Sequence, residues 1–261
     1  MKFAKKSLGQ NFLIDKNIIK KIIDLVVIKD KKIIEIGPGK GALTEEILNR
    51  KPKLLSLIEK DSRLVDELRR KYGKNNNIKI YNADVLKINL KKIICKGSII
   101  FGNLPYNISS QILVKILKIN SWPVNYTDMV LMFQKELADK ILGKFATSNY
   151  GRLSIITNYK LNIFNKFLVS PNCFFPKPKV NSQILHFKPK KTKLLKIKDL
   201  NNLEKVTNII FSNKRKMINK NLSKVLKKKD IIKIKGLKTN LRPSEIKPDI
   251  YYKITELFEQ M

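Results

Sequence analysis

The sequence predicts an α/β fold, a largely parallel sheet with helices on both faces, joined to a smaller helical domain at the C-terminal end. Short apolar runs recur along the first half of the 261 residues. Segments with helical periodicity separate most of these runs, and alternating strands and helices are typical of parallel sheets. After His186 the apolar runs give way to basic, helix-like segments, which predicts the second domain.

The predicted elements begin with a basic arm and an amphipathic helix within residues 1–30. The helix is predicted because apolar residues recur at helical spacing, at Ile18, Ile19, Ile22, Ile23 and Val26. Five predicted strands follow, at residues 32–36, 54–58, 78–81, 98–101 and 129–133. Predicted helices over residues 42–50 and 62–73 separate the first three strands, which favours a parallel order.

Two later apolar segments, RLSIITNYK (152–160) and SQILHF (182–187), are predicted as strands with no long helix between them. Strands that are not joined by a crossover helix indicate an antiparallel edge. The segment KPKKTKLLKIKDL (188–200) indicates a linker, and helices with loops follow to residue 261. We therefore predict a first domain over residues 1–189 and a helical domain over residues 190–261.

The charge of the chain predicts a polyanionic partner. The sequence has 55 Lys and Arg residues against 21 Asp and Glu, a formal net charge of +34. An AT-rich genome accounts for the preference for Lys over Arg, but not for the excess over acidic residues. In the cytosol the expected polyanion is nucleic acid. Residues 213–229 are largely basic around an apolar stripe, which consists of Met217, Leu222, Val225 and Leu226. We interpret the basic positions of this segment as facing RNA rather than as a solvated helix face.

The scarcity of two residue types excludes several classes of site. Cys95 and Cys173 are the only cysteines and His186 is the only histidine. These are too few for a four-ligand Cys/His zinc site, an iron–sulfur cluster or a histidine triad, so we expect no metal. The apolar runs are too short to span a bilayer, and the N-terminal segment lacks the apolar core of a signal peptide. We expect a cytoplasmic protein with no membrane partner.

A glycine-rich turn predicts close approach of a ligand to the first strand. The segment IIEIGPGKGALT (33–44) places Glu35, Gly37, Gly39 and Gly41 where that strand gives way to a helix. Glycines at this position allow a sharp turn and bring the backbone near a ligand.

Two spaced carboxylates favour a nucleoside-containing ligand. Glu59 ends the second strand, 20 residues after Gly39, where α/β nucleotide sites bind a ribose diol, and Asp84 follows the third strand. NAD-binding loops have the pattern G-x-G-x-x-G, whereas this loop has G-x-G-x-G and Pro38 removes one N–H donor. S-adenosylmethionine fits better, with its ribose on Glu59 and its adenine amine on Asp84. An NAD-dependent enzyme and a purely structural turn are the alternatives.

The segment NLPY, residues 103–106, predicts the reaction. It ends the fourth strand at the same edge of the sheet. The Asn103 side-chain oxygen and a backbone carbonyl, of Leu104 or Pro105, could accept the two N–H bonds of a base amine and direct its lone pair at a methyl group. Pro105 stiffens the turn, and Tyr106 offers a face for a flipped-out base. The alternative is a strand-ending turn with a packed tyrosine.

These motifs resemble those of the ribosomal RNA adenine N6,N6-dimethyltransferase family, in particular its bacterial small-subunit (16S) branch. The likeness covers nearly the whole chain, through the segments GQNFL (9–13), EIGPGKGALT (35–44), IEKD (58–61), NADVL (82–86), NLPY (103–106), FQKELADKI (133–141), YGRLSI (150–155) and FFPKPKVNS (174–182).

The resemblance implies a Rossmann-like sheet that binds S-adenosylmethionine and an RNA-binding helical domain. It implies that the cofactor-binding residues are Asn11, Leu13, Gly37, Gly39, Glu59, Asp84 and Asn103. It implies that Asn103, Leu104, Pro105 and Tyr106 are catalytic, and that Tyr106 with Phe174 or Phe175 holds the target base. The implied reaction is dimethylation of two adjacent adenines in a hairpin loop near the 3′ end of 16S rRNA. We expect a monomer acting on the small ribosomal subunit or its precursor, in ribosome biogenesis.

Two further functions stay open. The large-subunit (23S) adenine methylases of macrolide resistance share these motifs, although YGRLSIITNYK, FSNKRKMINKNL and LRPSEIKP resemble the small-subunit branch more. The chain departs from that branch at Asn181, where Asp is frequent, and in a C-terminal part that uses Lys where arginines would grip RNA with two hydrogen bonds. A non-catalytic RNA-binding assembly factor is the alternative from another class.

Overall fold

A computed structural model describes residues 10–119, 124–190 and 197–261. The strands are β1 (Phe12–Leu13), β2 (Lys32–Ile36), β3 (Leu54–Glu59), β4 (Ile78–Asn82), β5 (Ser98–Asn103), β6 (Tyr126–Gln134), β7 (Leu161–Val169), β8 (Phe174–Phe175) and β9 (Ser182–Pro189). The helices are α1 (Lys16–Ile23), α2 (Ala42–Asn49), α3 (Ser62–Tyr72), α4 (Ser109–Leu117), α5 (Lys135–Leu142), α6 (Arg152–Lys160), α7 (Leu200–Phe211), α8 (Asn219–Leu222), α9 (Lys228–Ile231) and α10 (Pro248–Phe258). Two parts of the predictions lie outside the described residues: residues 1–9 of the predicted basic arm and helix (1–30), and residues 191–196 of the predicted linker.

Seven strands form one sheet in the order β4-β3-β2-β5-β6-β9-β7. The first five run parallel, whereas β9 runs antiparallel to β6. The chain builds β3 and β4 on one side of β2, and β5 and β6 on the other. Ligands of open α/β sheets bind at such a reversal, outside the carboxyl ends of the strands. The predicted α/β fold and its five parallel strands are confirmed.

Strands β2 and β3 are mostly apolar, with Glu35 and Ser56 as their interior polar residues. Ile33, Ile34 and Ile36 of β2 are at most 2% exposed, and Leu55 and Leu57 of β3 are fully buried. A parallel sheet covered by helices on both faces requires such continuous runs, because neither side of the strand meets water.

The segment RLSIITNYK is a helix, α6, and its prediction as a strand was wrong. Four consecutive residues from Ser154 to Thr157 are at most 2% exposed, so the helix is buried on all sides and has no polar face to give a helical period. Its β-branched Ile and Thr residues imitate a strand. The Ser154 hydroxyl caps the start of the helix by accepting from the N–H of Gly151 at 3.1 Å.

The strand near this position is β7, which immediately follows α6 and forms an edge of the sheet. The prediction of SQILHF as a strand is confirmed by β9. An antiparallel strand is present as expected, but β9 pairs with β6 inside the sheet and not with RLSIITNYK at an edge.

The described residues divide into two compact units. The first unit consists of the described residues up to Ala138 together with Asn162–Pro189. The second unit consists of Asp139–Leu161, Lys190 and the described residues from 197 onward. The predicted boundary after residue 189 stays a prediction. No helix among the described residues is long and apolar enough to cross a membrane.

The second unit is helical, as predicted from residue 200 onward. Three of its buried tyrosines donate hydrogen bonds to carbonyls: Tyr150 to Ile246, Tyr251 to Pro243 and Tyr252 to Ile155. Of the predicted apolar stripe, Leu222, Val225 and Leu226 are buried. Met217 is 56% exposed, and the neighbouring Ile218 is buried instead.

Candidate active site at the carboxyl edge of the sheet

A cavity opens at the carboxyl ends of β2, β3 and β5, with about 1180 Å³ of empty space including its open mouth. Ten of the predicted site residues line it: Asn11, Leu13, Gly37, Gly39, Glu59, Asp84, Asn103, Leu104, Pro105 and Tyr106. The cavity therefore brings together segments that are distant in sequence.

The glycine turn after β2 forms one wall of the cavity. Gly37 and Gly39 have φ angles of +69° and +58°, a conformation that favours glycine. The N–H of Gly37 donates to the carbonyl of Ile58 at 2.9 Å, which fixes the turn to the end of β3. A Cβ atom at Gly39 would lie 3.0 Å from Phe12, so this turn also has no space for a side chain.

Glu59 is held by three backbone N–H donors. Its Oε1 accepts from Lys60 at 2.8 Å and from Asp61 at 2.9 Å, and its Oε2 accepts from Gly39 at 3.1 Å. Burial raises the pKa of this carboxyl, and the three N–H groups act in the opposite direction. A carboxylate offers about four lone-pair positions, so three donors leave capacity for a ligand hydroxyl.

Asp84 forms an ion pair with Lys60, a residue that the sequence did not single out. The Lys60 ammonium lies 2.9 Å from Asp84 Oδ2, and the N–H of Leu86 donates to Oδ1 at 2.9 Å. Both interactions hold the pKa of Asp84 below its usual range, Lys60 having the larger effect. Asp84 is consequently an ionised acceptor in the wall of the cavity.

Glu35 lies within β2 rather than at the end of the strand. It is 1% exposed, and the Thr44 hydroxyl donates to its Oε2 at 2.7 Å. The pKa of Glu35 is raised to about 8. Burial is the main cause and nearby Glu59 adds to it, whereas the hydrogen bond from Thr44 acts in the opposite direction. Glu35 is therefore largely protonated at neutral pH, although it also lines the cavity.

The Asn103 side chain is oriented by the segment that precedes β1. Its Nδ2 donates to the backbone carbonyl of Asn11 at 3.0 Å, which leaves Oδ1 as an acceptor. Gln10 of the same segment donates to Asp61 Oδ2 at 3.2 Å. Residues 10–13 thus cross the carboxyl edge and touch the ends of two strands; we call them the N-terminal strap.

The turn after β5 is fixed by its own hydrogen bonds. The carbonyl of Pro105 accepts from the N–H of Ile108 at 3.2 Å. The carbonyl of Tyr106 accepts from the Ser109 hydroxyl at 3.1 Å, and the Tyr106 hydroxyl lies 2.6 Å from Ser182 Oγ. Of the two candidate carbonyls, that of Pro105 is engaged inside the turn, which favours Leu104 as the second acceptor.

The two candidate phenylalanines differ in exposure. Phe174 is 3% exposed and packs in the apolar core with Leu13 and Val169, whereas Phe175 is 53% exposed. They pair antiparallel with the strap, Phe175 opposite Phe12 and Phe174 opposite Leu13. Neither lines the cavity itself. Of the two rings only that of Phe175 is exposed, so Phe175 stays a candidate for holding the base, whereas the ring of Phe174 is occupied in the core.

Sequence reasoning missed several residues of the site: Gln10, Phe12, Thr44, Lys60, Ser109 and Ser182. Gln10, Phe12, Thr44 and Lys60 lie inside quoted motifs, and Ser182 ends the block FFPKPKVNS. Their position in those motifs was the only signal. Ser109 lies outside the quoted motifs, and no sequence pattern indicates the direction of its side chain.

Comparison with known proteins gives one consistent family. Residues 1–260 match the family model for ribosomal RNA adenine dimethylases. A relative from Pelagibacter ubique (strain HTCC1062), named ribosomal RNA small subunit methyltransferase A, is 46% identical over 99% of this chain and 98% of its own. A crystal structure of a dimethyladenosine transferase from Plasmodium falciparum superposes with a TM-score of 0.76 at 28% identity, covering 95% of this chain and 98% of that one. The 23S rRNA methyltransferase ErmE gives a TM-score of 0.67 at 25% identity, covering 96% and 100%.

Proposed function

This chain belongs to the ribosomal RNA adenine dimethylase family, and from that membership we propose that it methylates N6 of two adjacent adenines in 16S rRNA, in a hairpin loop near the 3′ end. S-adenosylmethionine is the methyl donor. The observation that carries the proposal is the oriented amide of Asn103 beside a cavity whose walls include Glu59 and Asp84.

The donor and acceptor groups of the cavity fit S-adenosylmethionine. Glu59 retains acceptor capacity for a ribose diol, and ionised Asp84 for the adenine amine. Apolar side chains of the cavity, including Ile58, Val85 and Ile108, suit the flat faces of an adenine. The remaining proposed contacts are Asn11, Leu13, Gly37, Gly39 and Asn103. When bound, the cofactor supplies a methyl group activated by its positively charged sulfur.

The turn after β5 prepares the amine of the target adenine. That amine is a poor nucleophile because its lone pair is delocalised into the ring. Asn103 Oδ1 and the Leu104 carbonyl would accept its two N–H bonds, favour tetrahedral nitrogen and direct the lone pair into the cavity. Pro105 keeps the turn rigid, and the Tyr106 ring stacks on the base. Methyl transfer would release the cofactor as a neutral thioether and leave a positively charged, acidic nitrogen, which would lose its extra proton to water. Catalysis then consists mostly of positioning and dipole alignment, without a strong base.

An RNA loop is a suitable substrate for this site. Its bases are partly unstacked, so extruding one costs less than it would from a duplex. The net charge of +34 favours association with RNA phosphates, and we propose the domain predicted over residues 190–261 as the additional RNA-binding domain. We propose that the protein acts as a cytoplasmic monomer on the small subunit or its precursor.

The large-subunit methylase is the second candidate, because ErmE has the same overall fold and aligns over its whole length. Identity favours the small-subunit function: 46% to the relative named for the small subunit against 25% to ErmE.

The test is incubation of the protein and labelled S-adenosylmethionine with unmethylated small subunits or with large subunits. Label on adenine N6 of 16S rRNA is expected. Label on 23S rRNA would support the second candidate, and a folded protein that labels neither would contradict both. Calorimetry separates an enzyme from an RNA-binding scaffold, since a scaffold would bind no S-adenosylmethionine.

A further inference from the structure

Two buried serines hold Tyr106 at opposite ends. The hydroxyl of Ser182 lies 2.6 Å from the Tyr106 phenol oxygen, and the hydroxyl of Ser109 donates to the Tyr106 carbonyl at 3.1 Å. Both serines are fully buried. The tyrosine is thereby tied through its backbone and through the far end of its ring.

The antiparallel strand explains how Ser182 reaches the site. Ser182 is the first residue of β9 and pairs with Gln134, the last residue of β6. Because β9 runs opposite to β6, its beginning lies at the carboxyl edge of the parallel strands. The end of the FFPKPKVNS block thus delivers a hydroxyl to a turn that is 76 residues earlier in the chain.

Holding the ring in place has an energetic consequence for stacking. A base gains about 1–3 kcal/mol by stacking on an aromatic side chain. Immobilising a free side chain on binding costs about 0.5–1.5 kcal/mol, a large part of that gain. A ring already anchored at its hydroxyl avoids this cost and presents its face in one orientation.

We propose that Ser182 and Ser109 are positioning residues that fix the Tyr106 ring for the target base. This rests on the proposed function, in which Tyr106 stacks on that base. Ser182 acts on the ring through the phenol hydroxyl, and Ser109 acts on the backbone of the turn. Neither serine touches the reacting atoms.

A third buried serine shows that burial alone does not produce such an arrangement. Ser98 begins β5 and is 1% exposed, but its hydroxyl has no hydrogen-bond partner among the described residues. Ser98→Ala is therefore the matched control for Ser182→Ala, since both remove a hydroxyl from a buried strand position in the same sheet.

The first experiment is a double-mutant cycle with Ser182→Ala and Tyr106→Phe, measured as kcat/KM for the RNA substrate. Each single variant is expected to lose about tenfold, the effect of one hydrogen bond, with cofactor affinity unchanged. The double variant should lose no more than either single one, because both remove the same bond. Full activity of Ser182→Ala, or losses that multiply, would overturn the proposal.

The second experiment separates this inference from the proposed function. RNA carrying 2-aminopurine at the target position loses fluorescence when that base stacks on an aromatic ring. Wild type and Ser98→Ala should quench it more than Ser182→Ala and Ser109→Ala do. Absence of methylation by wild type would overturn the function alone, whereas equal quenching by all four proteins would overturn the positioning role. If Ser182→Ala fails to fold, Tyr106→Phe, at a partly exposed side chain, decides by the same readout.

Discussion

The side-chain amide of Asn103 donates to the backbone carbonyl of Asn11, 92 residues earlier, at 3.0 Å. A carbonyl can only accept, so this bond determines which end of the amide is nitrogen and leaves the oxygen for another donor. The N-terminal strap thus determines which atom of the Asn103 amide, a side chain that we propose as catalytic, is free to accept a hydrogen bond. It contributes a backbone atom, which substitution of Asn11 would not remove.

Asn103→Ala removes the proposed acceptor for the adenine amine. We expect methylation to fall by at least about 100-fold, as when one preorganised hydrogen-bonding group is lost from an active site. Cofactor affinity, measured by calorimetry, should fall far less than activity, because Asn103 is only one of seven proposed cofactor contacts. Asn103→Asp keeps an acceptor but sets a carboxylate oxygen against the Asn11 carbonyl, so it should also lose activity. The exposed Asn165→Ala is the control, and an equal loss of cofactor binding and activity in Asn103→Ala would contradict the assigned role.

Glu59→Gln replaces a carboxylate that accepts from three N–H groups with an amide that has only one acceptor oxygen. Its NH₂ end must face either Gly39 or the pair Lys60 and Asp61. A buried donor left unsatisfied costs about 1–3 kcal/mol, so we expect a lower melting temperature and at least about tenfold weaker cofactor binding. Glu45→Gln, at an exposed position of α2, should do neither. Wild-type affinity in Glu59→Gln would rule out the ribose contact.

Glu35 makes stability depend on pH. Its pKa is raised from 4.5 to about 8 in the folded protein, so the unfolded chain ionises first. This contribution to stability is complete below pH 4.5 and is lost as the pH rises through about 8. Between those limits the free energy of unfolding should fall by up to about 1.4 kcal/mol per pH unit through this group.

The variant Glu35→Gln tests that dependence, since it cannot ionise and its amide oxygen can still accept from Thr44. Urea unfolding of both proteins from pH 5 to 8.5 should give curves that converge at low pH and separate at high pH. The variant should be the more stable protein at the upper end. Parallel curves would show that Glu35 does not titrate in this range.

Phe174→Ala and Phe175→Ala should separate stability from function. Phe174 fills the core, so its truncation is expected to cost about 3–5 kcal/mol of unfolding free energy. Phe175 is 53% exposed, and its truncation should cost less than about 1 kcal/mol. If Phe175 holds the base, Phe175→Ala should lose several-fold in kcat/KM for RNA at unchanged cofactor affinity. Equal destabilisation of the two variants would contradict their different burial.

The position of the cavity was predictable because parallel strands end at one edge of the sheet. Once β2, β3 and β5 were identified by their apolar runs, Gly37, Glu59 and Asn103 had to meet there. The partners of these residues were not predictable. The Lys60–Asp84 ion pair and the Tyr106–Ser182 hydrogen bond depend on side-chain direction and on the antiparallel placement of β9.

The sequence also did not show which residues of an element face the core. Adjacent residues of a strand point to opposite sides, so one of Phe174 and Phe175 had to be buried, but two identical residues do not indicate which. The prediction of α6 was wrong for a related reason. Ser154 to Thr157 are all buried, so no polar face reveals the helical period.

The pairing of Phe12 with Phe175 joins segments more than 160 residues apart. During synthesis the strap therefore cannot form this pairing until Phe174 and Phe175 have left the ribosome, when most of the chain has been made. A product of premature termination before residue 174 would lack the strand that secures the strap, and with it a firm anchor for the Asn11 carbonyl. Each new molecule thus becomes able to transfer methyl groups only after most of its chain has been synthesised.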